Sequence, residues 1–575
     1  MLGRSWIYIH APFLAMFAWV WGALPLMAIP SAAVDDALFV RHAALILSGE
    51  WLGAYSQFTL AKGVAFSVWL ALLGALGLPA LLGQALLYAV AAVLLVRALS
   101  RWIPNEWALG GLLLLLLLNP GLYAAESMRI MREGFYTPTL LLILALILWW
   151  VRLSAASLAR RLALAGGLGV TLGVFYLTRE EGGWILPFLL ACLAFRGLAL
   201  WRGRVRVGWR AEAAALLACG VMALLPVLTV SALNARSYGV FRTVEFRDSS
   251  FIAAYSALAR LGSEEPSLIV LPRAVLPALF AASPAAAELR PYFEGERGRD
   301  YIDLGCRTYR VTPCDNEFRA AWFMWALRDA TVISAGYSNA VAVRDFNRRL
   351  AAEINAACAR GDLQCLPQRL SFSPRFRAAY IAPSLDAAWR LWKLSLSPVR
   401  VPHWQQMRSV YFSAAGLEPR ASAFLDFVRA DLFVDVLRHD MTPAEYPLPS
   451  LTLLRGKGIL LVLEKLALAW GYVGPVLQGA GLLALLALPC IWRGRPERAC
   501  WGLLAFCCGA YLLFATRVAL LAYLDTVAIP SVNMLYLSPA MPCLMLAMAL
   551  PLLLLWQALS PAGRGHGRVS TAGLT

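Results

Sequence analysis

LGQALLYAVAAVLLVRAL (82–99), followed after a short gap by WALGGLLLLLLLNPGLYA (107–124), holds Arg97 as its only Lys, Arg, Asp or Glu. Crossing a bilayer takes roughly 20 mostly apolar residues in a helix, because no water is present to satisfy an open backbone. Each stretch is close to that length, and neither shows the strict alternation of a half-buried strand. Working outward, comparable runs lie at about 11–30, 136–151, 162–178, 184–200, 213–233, 471–491, 499–520 and 539–558. With the first two, that makes ten expected spans. Of the 575 residues 60% are hydrophobic and 15% charged, with mean hydropathy +0.65. Soluble domains average about 45–50% apolar and about 25% charged. The composition excludes a disordered, fibrous or ordinary cytosolic chain.

The net charge is +17, from 51 Lys and Arg against 34 Asp and Glu. The arginines sit in short gaps between apolar runs, as the positive-inside rule predicts. No nucleic-acid partner is therefore expected. Arg152, Arg160 and Arg161, the group Arg196 to Arg210, Arg493 to Arg498, and Arg564 with Arg568 all orient to the cytoplasm when the spans alternate. Both termini then face the cytoplasm. The other side receives 31–63, 125–135, 179–183, 234–456 and 521–538. Residues 64–80 (VAFSVWLALLGALGLPA) upset this alternation if they cross, so they are read as a half-inserted or surface-lying helix. The first run, flanked by Arg4, reads as a retained anchor rather than a cleaved signal.

The fold class expected is an all-α polytopic membrane protein with about ten spans plus membrane-surface helices. It divides into an N-terminal membrane domain (1–233), an extracytoplasmic, mainly helical domain (234–456) inserted between spans seven and eight, and a C-terminal membrane domain with a short tail (457–575). Segments such as AWFMWALRDA carry helical periodicity. Cys306, Cys314, Cys358 and Cys365 all lie in the polar segment, and two nearest-neighbour disulfides in an oxidising compartment are expected. No zinc-ligand spacing, P-loop, GxSxG or HExxH motif occurs. His42 reads as an interfacial surface residue.

Chemistry gathers in the short loops of the non-cytoplasmic side. Asp35-Asp36 follows the first span. Such a pair can bind a cation, accept from a hydroxyl or act as a general base, or it can simply begin the next helix. Lys62 sits where the chain re-enters the bilayer, which suits a phosphate headgroup or interfacial snorkelling. Glu126, Arg129, Arg132 and Glu133 lie between the third and fourth spans. Arg129 and Glu133 would pair at i,i+4 in a helix, but arginines on this side run against the charge bias and point to an anionic ligand. Arg179, Glu180 and Glu181 form the next such turn, and ionisable groups at that depth are functional candidates. Arg517 either meets a lipid phosphate or pairs with Asp525.

Over roughly residues 1–200, these features resemble the GT-C superfamily of integral-membrane glycosyltransferases. Asp35-Asp36, the helix after it, the stretch ending at Tyr55 and Lys62-Gly63 look like that family's first outer loop. Relatives often carry prolines after the lysine, where this chain has Gly63-Val64. Glu133, or Glu126, matches the second acidic motif. The resemblance implies hexosyl or pentosyl transfer, with inversion, from a polyprenyl-phosphate donor to a glycan, lipid or protein acceptor. Asp35 or Asp36 would orient or deprotonate the acceptor, and Lys62, Arg129, Arg132 and Arg179 would hold the phosphate. Glu133 would position the acceptor or a divalent cation such as Mg2+ or Mn2+. The implied setting is a bacterial inner membrane, with the large domain periplasmic in the cell envelope. Other readings are a transporter or flippase for a lipid-linked or anionic substrate, and a membrane assembly protein.

Overall fold

The computed structural model describes residues 4–24, 26–28, 32, 34–152, 157–203, 208–262, 268–333, 336–368, 372, 374–402, 430–432, 450–494 and 500–560. Among the described residues, ten helices are long and apolar enough to cross a membrane. Spans 1 to 7 are Trp6–Ala23, Ala80–Leu99, Glu106–Tyr123, Glu133–Val151, Leu158–Thr178, Gly182–Trp201 and Trp209–Tyr238. Spans 8 to 10 are Gly456–Arg493, Trp501–Val527 and Met534–Leu559. The chain is an all-α, multi-pass membrane protein whose few strands are two or three residues long.

Several boundaries differ from the sequence expectation. The first helix runs Arg4–Ala23 rather than over 11–30. Pro25 disfavours helical dihedrals at the residue before it, which ends the helix there. The strand Leu26–Ala28 follows and pairs in parallel with Ala430–Leu432. Span 3 is broken at Leu118, and Asn119 caps its last turn by accepting from the Gly121 amide at 2.9 Å. The helix holding span 8 begins at Ser450, well before residue 471. Lys457, Glu464 and Lys465 interrupt its apolar run but not its helical propensity. The segment 64–80 contributes one short helix, Ala65–Ala75, and does not count among the spans.

Close packing relies on small residues, as it does where lipid supplies no hydrophobic drive between helices. A Cβ on Gly169 or Gly173 of span 5 would lie 2.2 and 2.4 Å from carbonyl oxygens of Cys219 and Ala223 in span 7. Span 4 packs on span 2, and span 10 packs on spans 8 and 9. Span 10 is the most enclosed of the ten, whereas spans 6 and 7 expose apolar surface along their length.

Between spans 7 and 8 the described chain is mainly helical and built round aromatic side chains. Phe246, Phe251, Phe293, Phe318, Phe323 and Trp325 join in edge and stacked contacts. Cys306–Cys314 and Cys358–Cys365 are disulfide-bonded, with Cα atoms 5.5 and 5.6 Å apart. This segment is fastened to the membrane loops at many points. Tyr55 donates to Glu245 at 3.0 Å, the Ala125 amide donates to the Arg400 carbonyl at 2.8 Å, and Arg390 pairs with Asp525 at 2.9 Å.

Candidate functional site

The helix Asp36–Leu47 begins directly after Asp35. Asp35 holds the capping position, yet its side chain makes no capping hydrogen bond. It turns instead to Lys62, which donates to it. Asp36, in the first helical turn, is 1% exposed and pairs with Arg129 at 2.5 Å, with a second contact from Arg129 Nε at 3.4 Å. The two adjacent carboxylates thus reach different cations on different loops. A pair present only to start a helix would cap it.

Arg129 does not pair with Glu133, against the i,i+4 expectation. The chain over 125–132 is not helical, and the helix starts only at Glu133. Glu133 pairs with Arg179 instead, both deeply buried. Arg132 pairs with Glu180 at 2.5 Å and donates to the Thr178 carbonyl at 3.3 Å. Arg179 Nε lies 2.6 Å from Glu181, which also lies 3.6 Å from Arg517. Arg517 is fully buried, stacks 5.4 Å from the Trp184 ring and donates to the Tyr536 carbonyl at 2.9 Å. It is not Asp525's partner, because Asp525 is taken by Arg390 and by the Ser531 and Val532 amides. The loops 34–63, 126–133 and 179–181 and span 9 therefore meet in one network. Lys62, Arg129, Arg132, Arg179 and Arg517 alternate there with Asp35, Asp36, Glu133, Glu180 and Glu181.

Gly63 makes this meeting possible. Its amide donates to Glu180 at 2.9 Å, and a Cβ there would lie 2.1 Å from the Leu177 carbonyl oxygen. Only glycine lets the first loop touch the end of span 5. This is where the chain departs from the proline expected after the lysine.

Charge fixes the protonation states. Burial opposes ionisation of Asp35, but the charge and hydrogen bond of Lys62, with Arg132 and Arg129 behind it, hold the carboxyl below its usual range. Glu180 is likewise disfavoured by burial, yet Arg132 and the Gly63 amide take it down to about 2. Glu181 is lowered by Arg179 and Arg517 against its burial. Burial lowers the Arg179 guanidinium to about 10, with Glu181 opposing. Lys62 is lowered by burial against the pull of Asp35, and its ammonium lies 5.3 Å from the Phe39 ring and 5.6 Å from Trp325. Exposure grades across the network: Asp35, Glu180, Arg129 and Glu181 are a fifth to a third open, while Asp36, Glu133 and Arg517 are closed.

Two expected site residues fall elsewhere. Glu126 is half-buried and makes no ion pair among the described residues. Tyr55 donates to Glu245 at 3.0 and 3.1 Å, so it serves the join to the central segment. His42, expected at the surface, is 3% exposed. Burial, with Arg41 adding to it, lowers its imidazole to about 3 and keeps it neutral. It lies on the inward face of an amphipathic helix that the adjacent Arg41 disguised.

Sequence reasoning missed Arg328. It is 1% exposed and pairs with Glu245, while its other nitrogens donate to the carbonyls of Gln57, at 2.7 Å, and Thr59. An arginine in an amphipathic helix reads as solvated surface, and only the fold shows it buried.

A divalent cation does not fit this donor set. Each carboxylate faces a cation, and among the described residues the acidic side chains of the network form no group of three ligands around one point. The one such group, Cys306, Cys314 and Asp315, contains a disulfide and so lacks thiolate ligands.

Fold and site together define a polytopic helical membrane protein with a compensated ion-pair network where its loops meet. Comparison with family models, curated proteins and solved structures found no match.

Proposed function

We propose that this protein is a membrane glycosyltransferase that moves a hexosyl or pentosyl group from a polyprenyl-phosphate donor to an extracytoplasmic acceptor, with inversion. The observation that carries the reading is the convergence of the acidic pair, Lys62 and the arginines of two further loops in one partly open network. Three separate loops supplying charge to one place is more than isolated helix ends need.

In this mechanism Asp35 is the base. It is the more open member of the pair, and its side chain is free of capping duty. Asp36, closed and held by Arg129, orients that arginine. The donor phosphate takes Lys62, Arg129 and Arg132 as ligands, and such cations stabilise charge that develops on a leaving phosphate. Drawing Lys62 toward the phosphate removes the partner that keeps Asp35 weakly basic. Asp35 then accepts the acceptor's hydroxyl proton. The oxygen bonds to the anomeric carbon, the bond from that carbon to the phosphate oxygen breaks, and its electron pair leaves on the phosphate. No step is routed through a metal.

The test is native mass spectrometry of the detergent-purified chain with added polyprenyl phosphate. Wild type should retain the lipid saturably, and Lys62→Ala, Arg129→Ala and Arg132→Ala should lose it. No retention by wild type, or equal retention by all four, would move the reading to a transporter or an assembly protein.

A further inference from the structure

Two cavities share Phe17 and Trp21 as wall residues, and one of them is also lined by Glu133 of the charged network. One is a small chamber of about 30 Å³ whose polar lining is Gln84, Tyr88, Ser127, Glu133, Thr137 and Ser538. The other is an apolar groove of about 530 Å³ between span 1, the end of span 3 and the start of span 8. The groove's rim residues Met16, Trp19 and Val462 are exposed, while Phe17 and Trp21 at its inner end are buried. It is therefore open along its outer rim and closed at the end that it shares with the chamber.

The chamber contains buried polar groups with nothing to bind. The Gln84 amide nitrogen and the Ser127 hydroxyl lack hydrogen-bond partners among the described residues, although these residues are only 4% and 8% exposed. Glu133 faces Arg179 as an ion pair, but neither of its oxygens has a well-directed hydrogen bond. Leaving such buried groups unsatisfied is costly, so they favour a ligand that supplies partners. Together they offer an amide donor, a hydroxyl that can donate or accept, and a carboxylate acceptor. That set suits hydroxyl groups. Among the described residues no lysine or arginine lines either cavity, and Glu133 repels a phosphate.

We propose that groove and chamber form one site for a neutral, hydroxyl-bearing membrane lipid, with its hydrocarbon chain in the groove and its hydroxyl in the chamber. This rests on the transferase reading and names that reaction's acceptor. Glu133 is common to the chamber and to the charged network. The chamber lining includes Glu133 but not Asp35, so a hydroxyl held there waits beside Arg179 at the edge of the network and moves to Asp35 for transfer. Donor and acceptor are sorted by charge: the anionic lipid goes to the arginines and the neutral one to the chamber.

The test is photolabelling of the full chain in phosphatidylcholine nanodiscs. One probe is a diazirine-bearing monoacylglycerol and the other an alkyl phosphate of the same chain length. The neutral probe should label residues 6–23 and 456–466 saturably, with competition from unlabelled monoacylglycerol. Gly458→Trp should cut that labelling at least tenfold. A Cβ at Gly458 meets nothing within 4 Å, so the indole enters the groove without displacing backbone. Gln84→Leu combined with Ser127→Ala should weaken competition by about tenfold, the value of one or two hydrogen bonds. The phosphate probe should label the groove at least tenfold less. Labelling spread evenly over lipid-facing helices, unaffected by Gly458→Trp, or equal with both probes would overturn the inference. Polyprenyl-phosphate retention, measured on the same preparations, reads the donor site separately. Retention without groove labelling would remove the acceptor assignment alone.

Discussion

Asp35 and Asp36 are adjacent and chemically identical, and their surroundings divide the work between them. Asp36 is 1% exposed and bound to Arg129, while Asp35 is about a third open and bound to Lys62. Removing one partner of a buried ion pair costs about 3–5 kcal/mol, because the remaining charge is stranded. Arg129 is partly open, which brings Asp36→Asn to about 3 kcal/mol. Asp35→Asn strands Lys62, which is 11% exposed against 22% for Arg129, and should cost a comparable amount. Turnover should separate the two. On the proposed mechanism Asp35 is the general base, and losing one costs about 10²–10⁴ in rate, so Asp35→Asn should cut transfer by about that factor while the protein stays folded. Thermal unfolding and single-turnover assays on both variants would decide this. An active Asp35→Asn variant, or an inactive Asp36→Asn variant that stays folded beside it, would reverse the assignment. The candidate residues were legible at this scale because charge is scarce beside apolar runs. Their partners were not. Whether Arg129 meets Glu133 along a helix or Asp36 across the bundle depends on where the helix begins, and that is a tertiary outcome.

At the scale of elements, the turn between spans 5 and 6 ties the site together. Arg179, Glu180 and Glu181 reach the start of span 4, the first loop, Arg132 and span 9. These contacts require ionised carboxylates. Glu180 lies at about 2 in the folded chain, and Asp35 and Glu181 are also lowered. An acid whose folded value lies below its unfolded value, near 4.3 for Glu, adds stability that is complete above that value. The contribution fades as pH falls toward the folded value. The thermal midpoint should therefore begin to drop between pH 5 and pH 3, and Glu180→Gln should lie below wild type at pH 7, with the gap narrowing by pH 3 and closing only near pH 2. A constant gap over that range would show that Glu180 does not act through its charge. The spans themselves were legible, since their apolar runs admit no other solution in lipid. The errors came at their ends. Pro25 moved the first helix toward the N-terminus, and three charged residues hid the start of the helix at Ser450. Both ends are set by backbone chemistry to which an apolar window is insensitive.

Across the whole molecule, the central segment holds the first loop in a shape the loop would not keep alone. Leu60 is buried with φ 58°, a left-handed conformation that costs a bulky residue about 1–3 kcal/mol. Two clamps hold it. The Glu245 amide donates to the Leu60 carbonyl at 2.8 Å, and Arg328 donates to the carbonyl of Thr59 next to it. Lys62 lies two residues further on, under Trp325 of the same helix as Arg328. None of this was legible beforehand. It requires an arginine more than 260 residues away in sequence to be buried against backbone carbonyls. Arg328→Met should cost about 3–5 kcal/mol, mostly because Glu245 is left buried without its partner. Pairing it with Glu245→Gln removes that stranded charge and should recover much of the thermal stability, with a coupling that a double-mutant cycle would measure. Polyprenyl-phosphate retention should not recover, because Thr59 and Gln57 still lack the donor that fixes the approach to Lys62. Stability and retention returning together would make Arg328 a structural ion-pair partner only. Their separation would mean that the central segment sets the position of Lys62 from outside the membrane.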